Sequence, residues 1–384
     1  MKVVYFSKSF FADCDFPLVK GMQDRGVDVI YYIPIEKGFK NGSILEFSKP
    51  WNKWGIIRAS KMEEMQPYKD CINLNHLFFI SGYTLHFWDV SAWLLWIYAV
   101  IHILSQRADV IHITWQLGRY ENFLLRLPFK GKKVMTVHDP LQHSGTKDYE
   151  KLEDDRKRCF RWADELILLN KDQISDFCKY YNIDNSIINI SHLGAYNSIL
   201  KISPSKTQIK KPYIIFFGQI SPNKGLEYLL EAMKEINKKC PEVTLLIAGK
   251  GNIYFDSKQY ENLNCIEWQN RYIGVRELVS YVRNSMFAVC PYKDATQSGV
   301  AQTSLTLATP VVATNVGNFP EIVQDGIYGK IVPPCNSSAL AKAICDLIDN
   351  QDDLERMVNN IKEKWIPSMS WDSIVDDNLK VYSK

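Results

Sequence analysis

Lys224 stands between a predicted strand and a predicted helix, a position suited to binding an anion. The strand Tyr213–Phe217 leads into Gly218-Gln219-Ile220-Ser221-Pro222-Asn223-Lys224-Gly225, and a helix is predicted from Leu226. The N-terminus of a helix attracts anions because its peptide dipoles add to a partial positive charge, and a lysine there supplies a full charge. A surface lysine in an ordinary turn has the same appearance, so this turn alone indicates phosphate binding only weakly.

Two further strand ends in the second half also lead into helices. Ser298 is a good N-cap for the helix predicted over 300–308, and Gly299 permits close approach of the backbone. The strand Val311–Ala313 likewise precedes a turn that enters a helix near Glu321. Ligands of open parallel sheets bind outside the carboxyl ends of the strands. Together the three ends predict a diphosphate site, with ordinary connecting loops as the alternative.

His138 marks a comparable position in the first half. The predicted strand Lys133–Val137 ends at His138-Asp139-Pro140, and His143 follows five residues after His138. A histidine at a strand end can donate a hydrogen bond or bind a proton near neutral pH. A capping turn is the alternative, and two histidines make no metal site without further ligands.

The elements that position these residues alternate between strand and helix in two series. Such alternation predicts parallel sheets, and two series in one chain predict two Rossmann-like domains of α/β class. We place the domains at residues 1–203 and 204–366, joined through the polar, proline-containing stretch 198–212. Residues 367–384 are predicted to form a last amphipathic helix.

Composition excludes several classes of protein. The 384 residues include 46 % hydrophobic and 23 % charged residues, which is typical of packed domains and not of disordered chains, coiled coils or collagen. The net charge of +3 argues against a nucleic-acid partner. Nine scattered cysteines without a C-x-x-C motif indicate reduced thiols, and no export signal is visible in the first residues, so we expect a cytoplasmic protein.

Two stretches suggest contact with a membrane surface. Val90 to Gln106 carries no formal charge but is too short to span a bilayer, so we interpret it as a buried core helix. Lys37 to Lys61 contains six basic residues and one acidic residue, interleaved with aromatic side chains. We predict reversible surface association there, with headgroup contact by four tryptophans: Trp51, Trp54, Trp93 and Trp96. A solvated loop is the alternative.

The order of motifs along the chain resembles that of the retaining GT-B glycosyltransferases, also called glycosyl transferases group 1. The first half matches in Asp109-Val110-Ile111-His112 and Thr136-Val137-His138-Asp139-Pro140. The second half matches from Phe216 to Glu227, in Leu246 to Gly251, in Val289 to Tyr292 with Gln297-Ser298-Gly299-Val300, in Thr309 to Gly317 and in Pro320 to Val323, with Gly326 and Gly329 closing the series.

The resemblance implies two Rossmann-like domains that face a cleft, with a nucleotide-sugar donor held by the second domain and an acceptor by the first. The last helix is expected to cross back to the first domain. His138 corresponds to the histidine that approaches the transferred sugar, and Lys224 to the phosphate-binding lysine. The other expected donor-binding residues are Gly218, Gln219, Arg271, Tyr272, Asp294, Gln297, Ser298, Gly299, Val300, Thr303 and Glu321.

The chain also departs from the family pattern. Gln219 stands where an arginine is usual, and the paired glutamates of the family fall on Ala295 and Thr303. A subset of the family carries Gln-Ser-Gly-Val here, so activity is still expected. The glycine-rich turn after the first strand is replaced by residues 7–11, Ser-Lys-Ser-Phe-Phe.

From these features we expect a glycosyltransferase, retaining and independent of metal or other cofactors, that builds surface polysaccharide on a glycan or lipid-linked acceptor. The second half contains no Asp-x-Asp triplet, which agrees with the absence of a metal. Two alternatives stay open: a catalytically silent GT-B binding subunit and a nucleotide-sugar epimerase.

Overall fold

The computed structural model describes residues 1–84, 88–118, 120–126, 128–141, 149–206, 209, 212–295 and 297–384. Short strands alternate with helices along the chain. The strands are β1 (Lys2–Phe6), β2 (Asp28–Glu36), β3 (Asn41–Gly42), β4 (Leu45–Glu46), β5 (Gly55–Arg58), β6 (Leu77–Tyr83), β7 (Val110–Ile113), β8 (Lys132–Val137), β9 (Glu165–Leu168), β10 (Ile188–Ile190), β11 (Tyr213–Phe217), β12 (Thr244–Ala248), β13 (Ile266–Gln269), β14 (Ala288–Cys290), β15 (Val311–Thr314) and β16 (Gly329–Val332).

The helices differ in length and fill most of the connections between strands. They are α1 (Ala12–Asp24), α2 (Val90–Ser105), α3 (Tyr149–Trp162), α4 (Ile174–Tyr181), α5 (Asn197–Leu200), α6 (Leu226–Lys239), α7 (Val275–Asn284), α8 (Gly299–Thr306), α9 (Phe319–Val323), α10 (Ser337–Asp349), α11 (Gln351–Asn360), α12 (Ile366–Ser368) and α13 (Trp371–Ser383). A π-helical turn, Ile361–Trp365, joins α11 to α12.

The first compact unit consists of residues 1–194 together with 371–384, so α13 belongs to it. Its sheet has the strand order β10-β9-β8-β7-β1-β2-β6-β5. All neighbours are parallel except the edge pair β5 and β6. Strands β2, β6 and β5 lie on one side of β1, and β7 to β10 are added on its other side. The strand order therefore reverses between β1 and β7, where ligands of such sheets bind.

The second unit consists of residues 195–370 and contains a fully parallel sheet. Its strand order is β13-β12-β11-β14-β15-β16, the order of a dinucleotide-binding Rossmann fold. The apolar faces of α6 and α10 pack on this sheet through buried side chains such as Leu229, Met233 and Ile344. Its switch point lies between β11 and β14.

Most predicted elements of the two series are confirmed, and so is the α/β class with two Rossmann-like units. The strand Tyr213–Phe217 has the predicted bounds, and the helix predicted from Leu226 to Ile236 continues to Lys239. The contacts divide the chain after Gly194 and after Ser370, near the predicted boundaries at 203/204 and 366/367. His143 lies outside the described residues.

Two predictions about apolar segments were wrong. Helix α2 is not fully buried: Leu95, Trp96 and Ile103 face the core, but its opposite side is exposed. Trp51 and Trp96 do not lie at the surface, because they are only 5 % and 0 % exposed. Trp51 packs instead against Phe47 and Phe79 inside the first unit.

Among the residues that the structure describes, no helix combines the length and the hydropathy needed to traverse a bilayer.

Candidate functional site

The turn after β11 is held against the loop that leaves β14, across the switch point of the second unit. The Lys293 amide donates to the Asn223 carbonyl oxygen over 2.8 Å. Gly225 has a φ of +64°, and a Cβ atom there would lie 2.1 Å from the Pro291 carbonyl oxygen. Only glycine allows both this backbone conformation and this approach, so residues 222–225 are fixed beside β14.

This packing places Lys224 over the ring of Tyr292. The Lys224 Nζ atom lies 3.9 Å from the ring centroid, within the range of a cation–π contact. Tyr292 is 1 % exposed, and its ring packs against Phe319 with centroids 5.2 Å apart. The Thr314 hydroxyl donates to the Tyr292 carbonyl oxygen over 2.6 Å. A rigid aromatic surface therefore sets the position of the lysine charge at the strand ends.

Helix α8 begins next to this lysine turn. The side-chain oxygen of Ser298 accepts a hydrogen bond from the Ala301 amide, which confirms Ser298 as the N-cap residue. A Cβ atom on Gly218 would lie 3.1 Å from a methyl carbon of Val300, so the turn after β11 touches the first turn of α8. Backbone amides in a first helical turn lack intrahelical acceptors. The turn that carries Gly218 and Lys224 therefore borders the start of α8 at Ser298, Gly299 and Val300, an arrangement suited to an anion.

Most of the other predicted donor residues of this unit follow the ends of β11, β14 and β15 or belong to α8, and they differ in exposure. Gln219 is exposed, Asp294 and Gln297 are half-buried, and Thr303 is half-buried on α8. Glu321 is exposed in the first turn of α9. Ala295 is buried in the apolar cluster beneath α8.

Arg271 and Tyr272 follow β13, on the other side of the β12 end. The Arg271 guanidinium donates to both carboxylate oxygens of Glu277, with one contact at 2.9 Å. The Tyr281 hydroxyl donates to the same carboxylate over 2.6 Å. Hydrogen bonding from Arg271 lowers the pKa of Glu277. The loop is therefore attached to α7 while Tyr272 stays 42 % exposed.

His138 lies in the first unit, directly after β8. Its ring stacks on Phe11 with centroids 3.8 Å apart and an interplanar angle of 12°. Burial lowers the pKa of His138 to about 4, although Asp139 acts in the opposite direction. The imidazole is therefore neutral at pH 7. Its Nε2 atom is buried and has no hydrogen-bond partner among the described residues.

The residues that sequence reasoning missed are aromatic or lie near the N-terminus. Phe11 occupies the place of the absent glycine-rich turn, and Tyr292 had been quoted only as part of a motif. An Asp-x-Asp triplet, Asp13-Cys14-Asp15, also occurs in the first half. It belongs to α1, where Asp15 accepts hydrogen bonds from the hydroxyls of Tyr5 and Tyr31. The available signal for Tyr292 was its position, as an aromatic residue close after the end of a predicted strand.

Comparison with known proteins places these features in context. Residues 211–350 match the family model described as Glycosyl transferases group 1. An uncharacterized glycosyltransferase of Methanocaldococcus jannaschii is 30 % identical over 173 residues, which cover 44 % of this chain and 47 % of that protein. The matches span less than half the length of the first curated relatives.

Solved structures match over the full chain. Sucrose-phosphate synthase from Thermosynechococcus elongatus has a TM-score of 0.70 at 16 % identity, covering 100 % of this chain and 98 % of that one. Anabaena HepE, in complex with UDP-glucose, has a TM-score of 0.66 at 16 % identity, covering 100 % and 98 %. At this identity the likeness shows a shared fold, which is GT-B.

Proposed function

We propose that this chain is a glycosyltransferase that moves a sugar from a nucleotide-sugar donor to an acceptor. The observation that carries the proposal is Lys224, fixed over Tyr292 at the switch point between β11 and β14, beside the capped start of α8. The match to the glycosyl transferases group 1 model over residues 211–350 contains this whole arrangement.

Charge separation explains why such an arrangement suits the reaction. Cleavage of the bond between sugar and phosphate leaves negative charge on the departing diphosphate and positive charge on an oxocarbenium-like sugar. A lysine and backbone amides already aimed at the diphosphate stabilise that transition state without reorganisation. The amides of Gly299 and Val300 and the Nζ atom of Lys224 have this role in the proposal. Gln219, exposed nearby, gives a hydrogen-bonding group but no second cation.

His138 has a different role in the proposal, because it belongs to the first unit. A neutral, half-buried imidazole can donate a hydrogen bond to a sugar hydroxyl without adding a positive charge near the oxocarbenium ion. Phe11 fixes the ring plane by stacking. We assign His138 to the transferred sugar and the exposed ring of Tyr272 to the nucleobase.

The finer features follow from the family resemblance. We propose retention of anomeric configuration through front-face attack assisted by the leaving phosphate, without a divalent metal or other cofactor. The acceptor in this proposal is a glycan or a lipid-linked acceptor in the synthesis of surface polysaccharide. The corresponding location is the cytoplasm, with reversible contact with the inner face of the cell membrane.

A thermal-shift screen against a panel of nucleotide-sugars tests the proposal, since a bound donor stabilises the folded state by RT ln(1 + [L]/Kd) and so raises the melting temperature with the logarithm of its concentration. The donor that stabilises the chain is then incubated with acceptors, and release of nucleoside diphosphate and the anomeric configuration of the product are followed by NMR. Binding without transfer or hydrolysis would favour a silent binding subunit. Conversion of the donor to its epimer would favour an epimerase, and no stabilisation by any donor would contradict all three.

A further inference from the structure

Helix α2 exposes a continuous stripe of large apolar side chains along its whole length. The stripe is made of Val90, Leu94, Ile97, Tyr98, Ile101 and Leu104, and Trp88 precedes it. Their exposed fractions range from 39 % for Leu104 to 85 % for Trp88. The spacing of three and four residues puts these side chains on one face of the helix. Contiguous apolar surface of this kind on a folded domain indicates a contact surface.

The other face of α2 is firmly packed, so the exposed stripe belongs to a fixed helix. Trp96 is 0 % exposed and its ring lies 5.7 Å from that of Tyr83 and 6.1 Å from that of Phe6. Asp89 caps the helix by accepting a hydrogen bond from the Ala92 amide. Residues 90–105 contain no acidic and no basic side chain other than His102.

Basic residues flank the stripe on one side near its C-terminal half. The Arg58 guanidinium lies 5.3 Å from the ring of Phe78, and that ring lies 5.2 Å from the ring of His102 on α2. Arg58 is exposed, and Arg107, also exposed, follows the end of the helix. Cations therefore stand beside and beyond this half of the apolar stripe.

A second group of cations lies on the other side, at a cavity of about 890 Å³. Trp93 of α2 lines this cavity with Phe123 and Trp162, and its ring stands edge-on to Phe123 with centroids 5.5 Å apart. The polar part of the lining includes three arginines and two carboxylates, namely Arg126, Arg158, Arg161, Asp154 and Asp155. Arg158 pairs with Asp155, so Arg126 and Arg161 outnumber the one remaining carboxylate.

We propose that this face of α2 is a docking surface for a bilayer rich in anionic phospholipid, with Arg58, Arg126 and Arg161 contacting the lipid phosphates. An apolar helix face with flanking cations and no acid of its own is typical of helices that lie in the membrane interface. Exposed Trp88 and Tyr98 are the residue types enriched at the headgroup level. Of the basic stretch 37–61, this surface includes only Arg58, and Trp51 of that stretch is buried. Docking does not depend on the proposed transfer reaction.

Flotation with vesicles tests the proposal on the full-length chain. Vesicles of phosphatidylcholine alone are compared with vesicles containing phosphatidylglycerol, at low and high salt. We expect wild-type protein to float with the anionic vesicles, and binding to fall as salt rises because the cations are screened. The variant Leu94→Gln/Ile97→Gln/Ile101→Gln should lower the partition coefficient by about a hundredfold, since three exposed apolar side chains that enter the bilayer on docking are lost.

Two further variants make the test specific. Arg126→Gln/Arg161→Gln should weaken binding about thirtyfold to anionic vesicles only, because two cations are lost and each contributes about 1 kcal/mol near the surface. Ile190→Gln, at an exposed isoleucine elsewhere in the same unit, is the matched control and should bind as wild type does. Unchanged melting temperatures would show that all variants are folded.

Three outcomes would overturn the proposal. One is wild-type protein that fails to float with anionic vesicles at low salt. Another is a triple variant that floats as well as wild type. That result would assign the membrane contact to the stretch 37–61 and not to α2. The third is a wild-type dimer in analytical ultracentrifugation that the triple variant converts to monomer, without vesicle binding by either, which would make the stripe an interface between two copies.

Discussion

The Nζ atom of Lys224 lies 3.9 Å from the centroid of the Tyr292 ring, which brings the end of β11 and the end of β14 together at one charged point. The two residues are 68 positions apart in the sequence. Their contact depends on Gly225, whose left-handed backbone lets the turn approach the Pro291 carbonyl oxygen. The charge of the site, its rigidity and its location therefore depend on four residues, namely Lys224, Gly225, Pro291 and Tyr292.

Lys224→Ala should abolish most transferase activity and leave the protein folded. The lost charge acts on the developing negative charge of the diphosphate, so the rate should fall by about 10²–10³. Steady-state kinetics with the donor identified by thermal shift measure the effect. Lys238→Ala, an exposed lysine at the far end of α6, is the matched control. An unchanged rate for Lys224→Ala would remove the lysine from the proposed site.

Tyr292→Leu should lower activity by a smaller factor. Leucine keeps an apolar side chain under Lys224 but loses the π-face, and a cation–π contact contributes about 0.5–2 kcal/mol, so we expect about a 3- to 30-fold loss. Tyr254→Leu is a suitable comparison, because Tyr254 lies under Lys293 at the longer distance of 5.6 Å. Equal losses in the two variants would show that the ring of Tyr292 has no special effect on the Lys224 charge.

Gly225→Ala should lower the free energy of unfolding by more than Gly326→Ala does, although both glycines have a positive φ. In Gly326→Ala the new Cβ atom would have no other atom within 4 Å. The variant should therefore lose only the stability that a left-handed backbone costs a residue with a Cβ atom, about 1–2 kcal/mol. At Gly225 the Cβ atom would also lie 2.1 Å from the Pro291 carbonyl oxygen, and the turn must move. Urea unfolding compares the two variants. Donor affinity should fall only in Gly225→Ala; equal stability losses and unchanged affinity would contradict this account.

The sequence was sufficient to locate the ends of several strands, but not to tell which apolar side chains are buried and which are exposed. Lys224, Ser298 and His138 could be placed because a strand followed by a helix fixes where a turn residue lies, whatever the rest of the chain does. Helix α2 could not be oriented in the same way, because both of its faces are apolar and periodicity alone does not tell which face meets the core. The long-range partner of Trp51, Phe79 of β6, belongs to a strand that the pattern did not reveal.

The surroundings of His138 could not be predicted either. Its position after β8 is local, but its stacking partner Phe11 is brought there by the parallel pairing of β1, β7 and β8. The depressed pKa follows from that burial. Neither the neutral state of the imidazole nor its fixed plane is visible in His138-Asp139-Pro140 itself.

His138→Ala should reduce turnover more than donor affinity, because we assign the imidazole to the transferred sugar and not to the nucleotide. Loss of a preorganised donor should lower kcat by about 10². Steady-state kinetics give kcat, and titration with nucleoside diphosphate gives affinity. His138→Asn, which keeps a neutral donor, should recover part of kcat, and His76→Ala at a partly exposed histidine is the control. Weaker nucleotide binding with normal kcat would show that the assignment is wrong.

Asp15 should give the first unit a stability that falls as pH rises toward neutrality. Its two carboxylate oxygens each accept a tyrosine hydroxyl over 2.8 Å, from Tyr5 and from Tyr31. Burial nevertheless raises the pKa of Asp15 to about 7. An unfolded aspartate has a pKa of about 3.9, so between these values the folded state binds one more proton than the unfolded state. Stability from this group is therefore greatest near pH 4 and is lost as pH rises through 7.

Asp15→Asn removes that titration and makes the prediction measurable. The stability of wild type relative to the variant should decrease by up to about 1.4 kcal/mol per pH unit from pH 4.5 to 7 and stay constant above it. The pKa values of His112 and His138 are lowered and act with the opposite sign, but both histidines are present in both proteins and cancel in the difference. Urea unfolding across this pH range measures the two curves, with Asp24→Asn, at an exposed carboxyl on the same helix, as the control. A difference between wild type and Asp15→Asn that does not change with pH would show that the carboxyl at Asp15 is ionised in the folded protein throughout.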